Sequence, residues 1–152
     1  MRKYLLSLLL ILALLSVSVH AETMEVKVKV NNVDVVSPVP AQIVNDRTML
    51  PMRSIFERIG AKVTWMESEK IIFATKGSFL ITMQIDNNIM SVQQVENDEI
   101  IKIVLETPPF IINGSTLVPV RAVAESLGCS VKWDPQTYTV DISTISNGGE
   151  GI

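Results

Sequence analysis

The stretch Ile111-Ile-Asn-Gly-Ser-Thr-Leu-Val-Pro-Val-Arg-Ala-Val-Ala-Glu-Ser-Leu-Gly-Cys-Ser-Val-Lys-Trp133 decides how this chain is built, because it is written twice. Sixty-eight residues earlier the chain reads Ile43-Val-Asn-Asp-Arg-Thr-Met-Leu-Pro-Met-Arg-Ser-Ile-Phe-Glu-Arg-Ile-Gly-Ala-Lys-Val-Thr-Trp65. Without a gap the copies share Ile43/Ile111, Asn45/Asn113, Thr48/Thr116, Pro51/Pro119, Arg53/Arg121, Glu57/Glu125, Gly60/Gly128, Val63/Val131 and Trp65/Trp133, and Pro40/Pro108 extends the match upstream. Self-similarity at a fixed spacing marks an internal structural repeat.

Each copy reads as turn, short strand, helix, hairpin. Asn113-Gly114 is a two-residue turn signal, since both residue types accept positive φ. Asn45-Asp46 stands there in the first copy, and Asp takes that backbone less readily than Gly, which leaves the type of that turn open. Thr48-Met-Leu and Thr116-Leu-Val read as short extended runs. Pro51 and Pro119 suit the first helical position, and Gly60 and Gly128 suit the position just past the helix end. The spacing predicts helices of roughly two to three turns. Met52, Ile55, Phe56 and Ile59 form one apolar face, and Val120, Val123, Ala124 and Leu127 repeat it. Phe56 against Ala124 is too large a size difference for identical packing, so the core is pseudo-symmetric at best.

Arg53 and Glu57 are four apart, as are Arg121 and Glu125. That is ion-pair spacing on a helix, in its weaker order. The structural reading, a pair orienting the helix, is preferred; the functional reading makes the arginines ligand-binding, so Arg53, Glu57, Arg121 and Glu125 are the candidate surface-binding residues. Trp65 and Trp133 share a slot on a strand beyond the helix. They are expected to cap its apolar face, the alternative being stacking platforms for a sugar. After Trp133, Asp134-Pro135-Gln136-Thr137 has the residues of a type I turn, followed by alternating Tyr138, Val140 and Ile142. The first copy offers Met66 to Glu69 as turn and Lys70 to Ala74 as strand.

Outside the repeats, Glu25 to Val30 alternates strictly and predicts a half-buried strand, turned at Asn31-Asn32 and returned by Val33 to Val36. Phe79 to Ile85, Ile89 to Val92 and Ile100 to Leu105 read as further strands, with Gln93 to Glu99 as a polar, acidic excursion. Glu96, Asp98 and Glu99 lack the spacing of a calcium loop and read as solvated.

Residues 1–21 read as a signal peptide: Arg2 and Lys3, an apolar run from Leu5 to Val19, and small residues at Val19 and Ala21 before the expected cleavage. The run is short for a membrane span, so no stable membrane anchor is expected after cleavage. The mature chain keeps 11 basic against 16 acidic residues, a net charge of −5, and offers nucleic acid no electrostatic attraction. Its one thiol, Cys129, cannot form an internal disulfide and is expected to be buried. The one histidine, His20, lies in the signal peptide. The mature chain thereby lacks Ser-His and Cys-His nucleophile pairs and His-ligated zinc or copper, so no catalytic residue, metal or cofactor is assigned.

About 125 ordered residues suit one domain, and a repeat of about 60 buries little core alone. The expected fold is α+β: a mostly antiparallel sheet with two short helices, built from tandem repeats at about 24–75 and 79–143 that share one core, within a domain at 22–145, followed by a flexible tail at 146–152.

The pattern Asn113, Gly114, Thr116, Val118, Pro119, Arg121, Glu125, Gly128, Val131, Trp133, Asp134 resembles the copper amine oxidase N-terminal-like, or stalk, domain of secreted Gram-positive bacterial proteins. The first copy keeps Asn45, Thr48, Pro51, Arg53, Glu57, Gly60, Val63 and Trp65, and departs at Asp46, Leu50 and Met66. The resemblance spans essentially the whole mature chain. It implies a non-catalytic module, since the copper and quinone chemistry of the oxidase belongs to another, larger domain. The function expected is a secreted binding or structural module at the bacterial cell surface or wall, its partner a cell-wall polymer or surface protein. The alternatives are self-association or protein binding through an edge strand such as Glu25 to Val30, a carboxylate-based wall glycosidase using Glu57 and Glu125, and copper carriage by the scattered Met49, Met52, Met66, Met83 and Met90.

Overall fold

Three Asn-led turns set three of the hairpins of this chain. Asn31-Asn32, Asn45-Asp46 and Asn113-Gly114 all hold positive φ at both positions, at 51° and 64°, 50° and 58°, and 49° and 72°. Paired positive φ is the type I′ signature that matches strand twist. The Asn45-Asp46 turn is therefore of the same kind as its counterpart. The structure, a computed structural model, describes residues 25–144; the signal peptide and the expected tail at 146–152 lie outside the described residues.

The strands are β1 (Lys27–Val30), β2 (Val33–Asp34), β3 (Gln42–Val44), β4 (Arg47–Pro51), β5 (Lys62–Met66), β6 (Ile71–Lys76), β7 (Phe79–Gln84), β8 (Ile89–Gln94), β9 (Glu99–Val104), β10 (Phe110–Ile112), β11 (Ser115–Pro119), β12 (Cys129–Asp134) and β13 (Thr139–Thr144); the helices are α1 (Met52–Phe56) and α2 (Val120–Ser126). Mostly antiparallel sheets with two short helices are what the sequence predicts. The strands divide, however, into three sheets, ordered β12-β13-β1-β2, β10-β11-β4-β3 and β5-β6-β7-β8-β9.

Sheet β10-β11-β4-β3 joins the two copies. β4 and β11 pair antiparallel as Met49↔Pro119, Leu50↔Val118 and Pro51↔Leu117, a register symmetric about two residues 68 apart. Met49 and Leu117 are fully buried on one face with Val39, while Leu50 and Val118 join the main core on the other. Burial on both faces explains why Met49-Leu50 and Leu117-Val118 are continuous rather than alternating apolar pairs. The main core takes side chains from both copies, with Phe56 and Ala124 both fully buried at their unequal matched positions.

Four expectations need correction. The first helix is shorter than the expected two to three turns, with five residues in α1, while the seven of α2 make about two turns. Pro51 and Pro119 are extended residues closing β4 and β11 and preceding the helices, not their first residues. The sheet contact made by these strands takes residues that helix would otherwise use. In the first copy, α-type bonding persists past α1 through Ile59 N–H to the Ile55 carbonyl (3.0 Å). It closes with Ala61 N–H to the Phe56 carbonyl (2.7 Å) around Gly60 at φ +76°, the 6→1 bond that ends helices on a left-handed residue. Gly128 holds φ +75° after α2.

The third correction concerns β1, which is not an edge. It lies between β2 and β13, pairing parallel with β13 (Val28↔Val140, Val30↔Ile142), so the alternating valines Val26, Val28 and Val30 are all buried. β2 stops at Asp34 rather than Val36. The fourth is the acidic excursion. β8 runs to Gln94 and β9 starts at Glu99, leaving a short hairpin turn in which the Asp98 carboxylate accepts from Gln93 Nε2 (2.6 Å). β5 to β9 form an antiparallel meander whose inner face buries Ile72, Ala74, Ile81, Met83 and Met90.

Candidate functional site

The turns after the two tryptophans share a backbone and differ in chemistry. Residues 67–70 join β5 to β6 and residues 135–138 join β12 to β13, and each ends on a left-handed residue, Lys70 at φ 53° and Tyr138 at φ 51°. These residues are 68 apart. Asp134 fixes the second turn: its carboxylate accepts from Gln136 N–H (2.9 Å) and from Thr137 Oγ1 (2.7 Å). Those bonds, the Thr137 hydroxyl first, hold the Asp134 carboxyl below its ordinary value of 3.8. The left-handed bend at residue 138 brings the Tyr138 ring onto Trp133, edge to face, with centroids 5.6 Å apart and planes at 74°. That is a favoured aromatic geometry. The first copy has Lys70 in place of the tyrosine, and its Trp65 Nε1–H donates to Glu67, where the second copy has Pro135.

Trp133 and Tyr138 are half-buried, packed on the main core on one side and lining a cleft of about 980 Å³ on the other. Val131 and Val140 continue its floor. α2 supplies one wall with Arg121, Ala122 and Glu125, and the β3–β4 turn and the start of β4 supply another with Asp46, Arg47 and Thr48. The end of β9 and the segment after it, Ile103 to Thr107, close the remaining side. Thr107 pins this last wall. It is 4% exposed, donates Oγ1–H to the Val44 carbonyl (3.2 Å) and accepts from Asn45 Nδ2 (3.4 Å). An Arg47–Glu106 ion pair adds a second tie between the same segments. The cleft thus combines an aromatic floor with polar walls of both charge signs.

The four residues singled out by the repeat do not converge. Arg121 and Glu125 line the cleft, 3.9 Å apart from Nε to Oε1 and more than half exposed; such a pair contributes at most a few tenths of a kcal/mol. Arg53 and Glu57 are exposed outside the cleft lining, and the only ion pairs among the described residues are Arg47–Glu106 and Arg121–Glu125. Trp133 packs on the core, as expected, and also lines the cleft. Sequence reasoning missed Arg47, Glu106, Thr107 and Tyr138. Only Tyr138 left a signal, as an aromatic facing lysine in the gapless alignment.

The model of the copper amine oxidase N-terminal domain family matches residues 29–142, from within β1 to within β13. The chain belongs to that family. In copper amine oxidases this N-terminal domain is a non-catalytic module. No curated protein matches the chain. The residues of this family member do not fit copper. Met49, Met52, Met83 and Met90 are buried in apolar core, and no three His, Cys, Asp or Glu side chains gather among the described residues. Cys129 is buried at the start of β12, with Lys76 Nζ at 3.6 Å from its sulfur.

Proposed function

We propose that this chain is a secreted, non-catalytic module that attaches to the cell surface or wall of a Gram-positive bacterium by binding wall polysaccharide in the Trp133–Tyr138 cleft. The observation that carries the reading is the half-buried aromatic pair lining a cleft whose walls carry guanidinium, carboxylate and hydroxyl groups. A sugar ring offers an apolar C–H face to an aromatic and hydroxyls to such walls. A cleft built of both charge signs favours a neutral polar ligand over a strongly charged one. The domain is read as two tandem copies about an approximate two-fold axis passing between Leu50 and Val118, which the β4–β11 register supports. Only the second copy carries the aromatic pair, and the first contributes the wall of Asp46, Arg47 and Thr48.

A glycosidase reading loses its matched acids, because Glu125 lines the cleft and Glu57 does not. Two carboxylates across one sugar are what that chemistry requires. The test is co-sedimentation of residues 22–152 with washed Gram-positive cell walls across a salt series. Saturable pelleting that persists in about 0.5 M salt is expected, since stacking is insensitive to screening. Protein left wholly in the supernatant contradicts the reading.

A further inference from the structure

β9 is the outermost strand of the five-stranded sheet, and its register pairs it with β8 alone. The bond from Leu105 N–H to the Asn88 carbonyl (2.7 Å) fixes its phase. Antiparallel strands alternate between residues bonded inward and residues turned outward. Glu99, Ile101 and Ile103 therefore bond to β8, and the N–H and C=O groups of Ile100, Lys102 and Val104 point away from the sheet. Around this open ladder the side chains of Ile100, Ile101 and Val104 are 56%, 54% and 68% exposed. The opposite edge, β5, exposes Lys62, Thr64 and Met66 instead. An open strand edge bearing apolar side chains is a template for a further strand, and only Glu99 and Lys102 guard it with charge.

We propose that β9 pairs antiparallel with β9 of a second copy of this chain, joining the two five-stranded sheets into one. The backbone groups select an extended strand, because only a strand meets alternating outward donors and acceptors. Charge selects the copy and its direction. β9 is acidic at its start, with Asp98 and Glu99, and basic at Lys102. A two-fold axis normal to the sheet at Ile100 keeps every side chain on its own face and sets each Lys102 opposite Asp98 of the other strand. The same axis stacks isoleucine on isoleucine. A parallel, in-register arrangement would instead oppose Lys102 to Lys102. The edge first suspected in the sequence, Glu25 to Val30, is interior and unavailable for this role.

The proposal is independent of wall binding, and its test needs no wall, so the two readings fail separately. Sedimentation equilibrium of residues 22–152 from about 10 μM to 1 mM is expected to show the mass rising from one chain to two, the range in which a small strand-edge interface dissociates. D98K and K102D should each raise the dissociation constant about tenfold, through loss of two symmetric ion pairs plus new repulsion. The double variant D98K/K102D, which reverses both charges, should restore pairing. I100P removes an outward N–H that the fold does not use. It should abolish the dimer and keep the thermal melt within a few degrees; if it unfolds the chain, the charge series alone decides. A strict monomer at 1 mM, or a dimer indifferent to the charge variants, overturns the proposal.

Discussion

Replacing Gly60 or Gly128 with alanine tests the backbone of both copies at once. The two glycines hold nearly the same left-handed conformation, φ +76° and +75°, and an added Cβ at either would meet nothing within 4 Å. The cost is therefore conformational, not steric. A left-handed L-residue costs roughly 1–2 kcal/mol, and alanine recovers about 0.4–1 kcal/mol by restricting the unfolded chain. Each variant should be destabilised by about 1 kcal/mol, a fall in Tm of roughly 3–6 °C for a domain of this size, and the two should agree within about 0.5 kcal/mol. Urea denaturation with an unchanged m-value measures this. Asparagine, which tolerates the left-handed region better, should recover part of the loss. A loss above about 3 kcal/mol at either site would mean that the space is not open. A neutral effect would mean that the helix does not end on a left-handed residue. Unequal losses would separate the two copies.

Phe56→Ala removes a fully buried ring and should cost about 3–5 kcal/mol in chemical denaturation, whereas an alanine already stands at the matched position 124. Thr107→Val removes the donor that satisfies the Val44 carbonyl and should cost about 1–2 kcal/mol, measured the same way. Asp134 titrates below 3.8 in the folded chain, so its contribution to stability is complete above that pH and is lost as pH falls through the lowered value. Thr137→Val deletes the largest cause, and carbon-detected NMR titration should show the Asp134 carboxyl moving back up toward 3.8.

The local signals in this sequence were complete where a residue type dictates a backbone. Asn113-Gly114 specified its turn, Gly60 and Gly128 their left-handed stops, and the four-residue apolar faces of both helices their burial. The helix starts were set one residue early, because Pro51 and Pro119 serve two elements and the strand takes them. Position in a sheet is not local. Alternation in Glu25 to Val30 shows that one face is buried but is silent on whether a strand lies on each side, and β1 gains its second neighbour, β13, from the far end of the domain. The cleft follows the same rule. Its tryptophan was visible as a repeated aromatic, but Arg47, Glu106 and Thr107 reach it through a loop whose path is set by hydrogen bonds to the other copy. The Arg121–Glu125 spacing predicted a contact and found one at its outer limit, while the matched Arg53 and Glu57 stay outside the cleft.

Tyr138→Lys addresses the central claim most directly. It gives the second copy the residue that the first copy holds at the matched position, in a left-handed backbone that lysine already occupies at residue 70. The variant should therefore fold, with a melt close to that of the parent chain. Compared side by side on washed cell walls, the parent should pellet saturably and the Tyr138→Lys chain should lose at least about tenfold in affinity, corresponding to roughly 1.4 kcal/mol of lost stacking and ring support. Equal pelleting by a folded Tyr138→Lys chain would contradict the assignment of the aromatic cleft as the binding site.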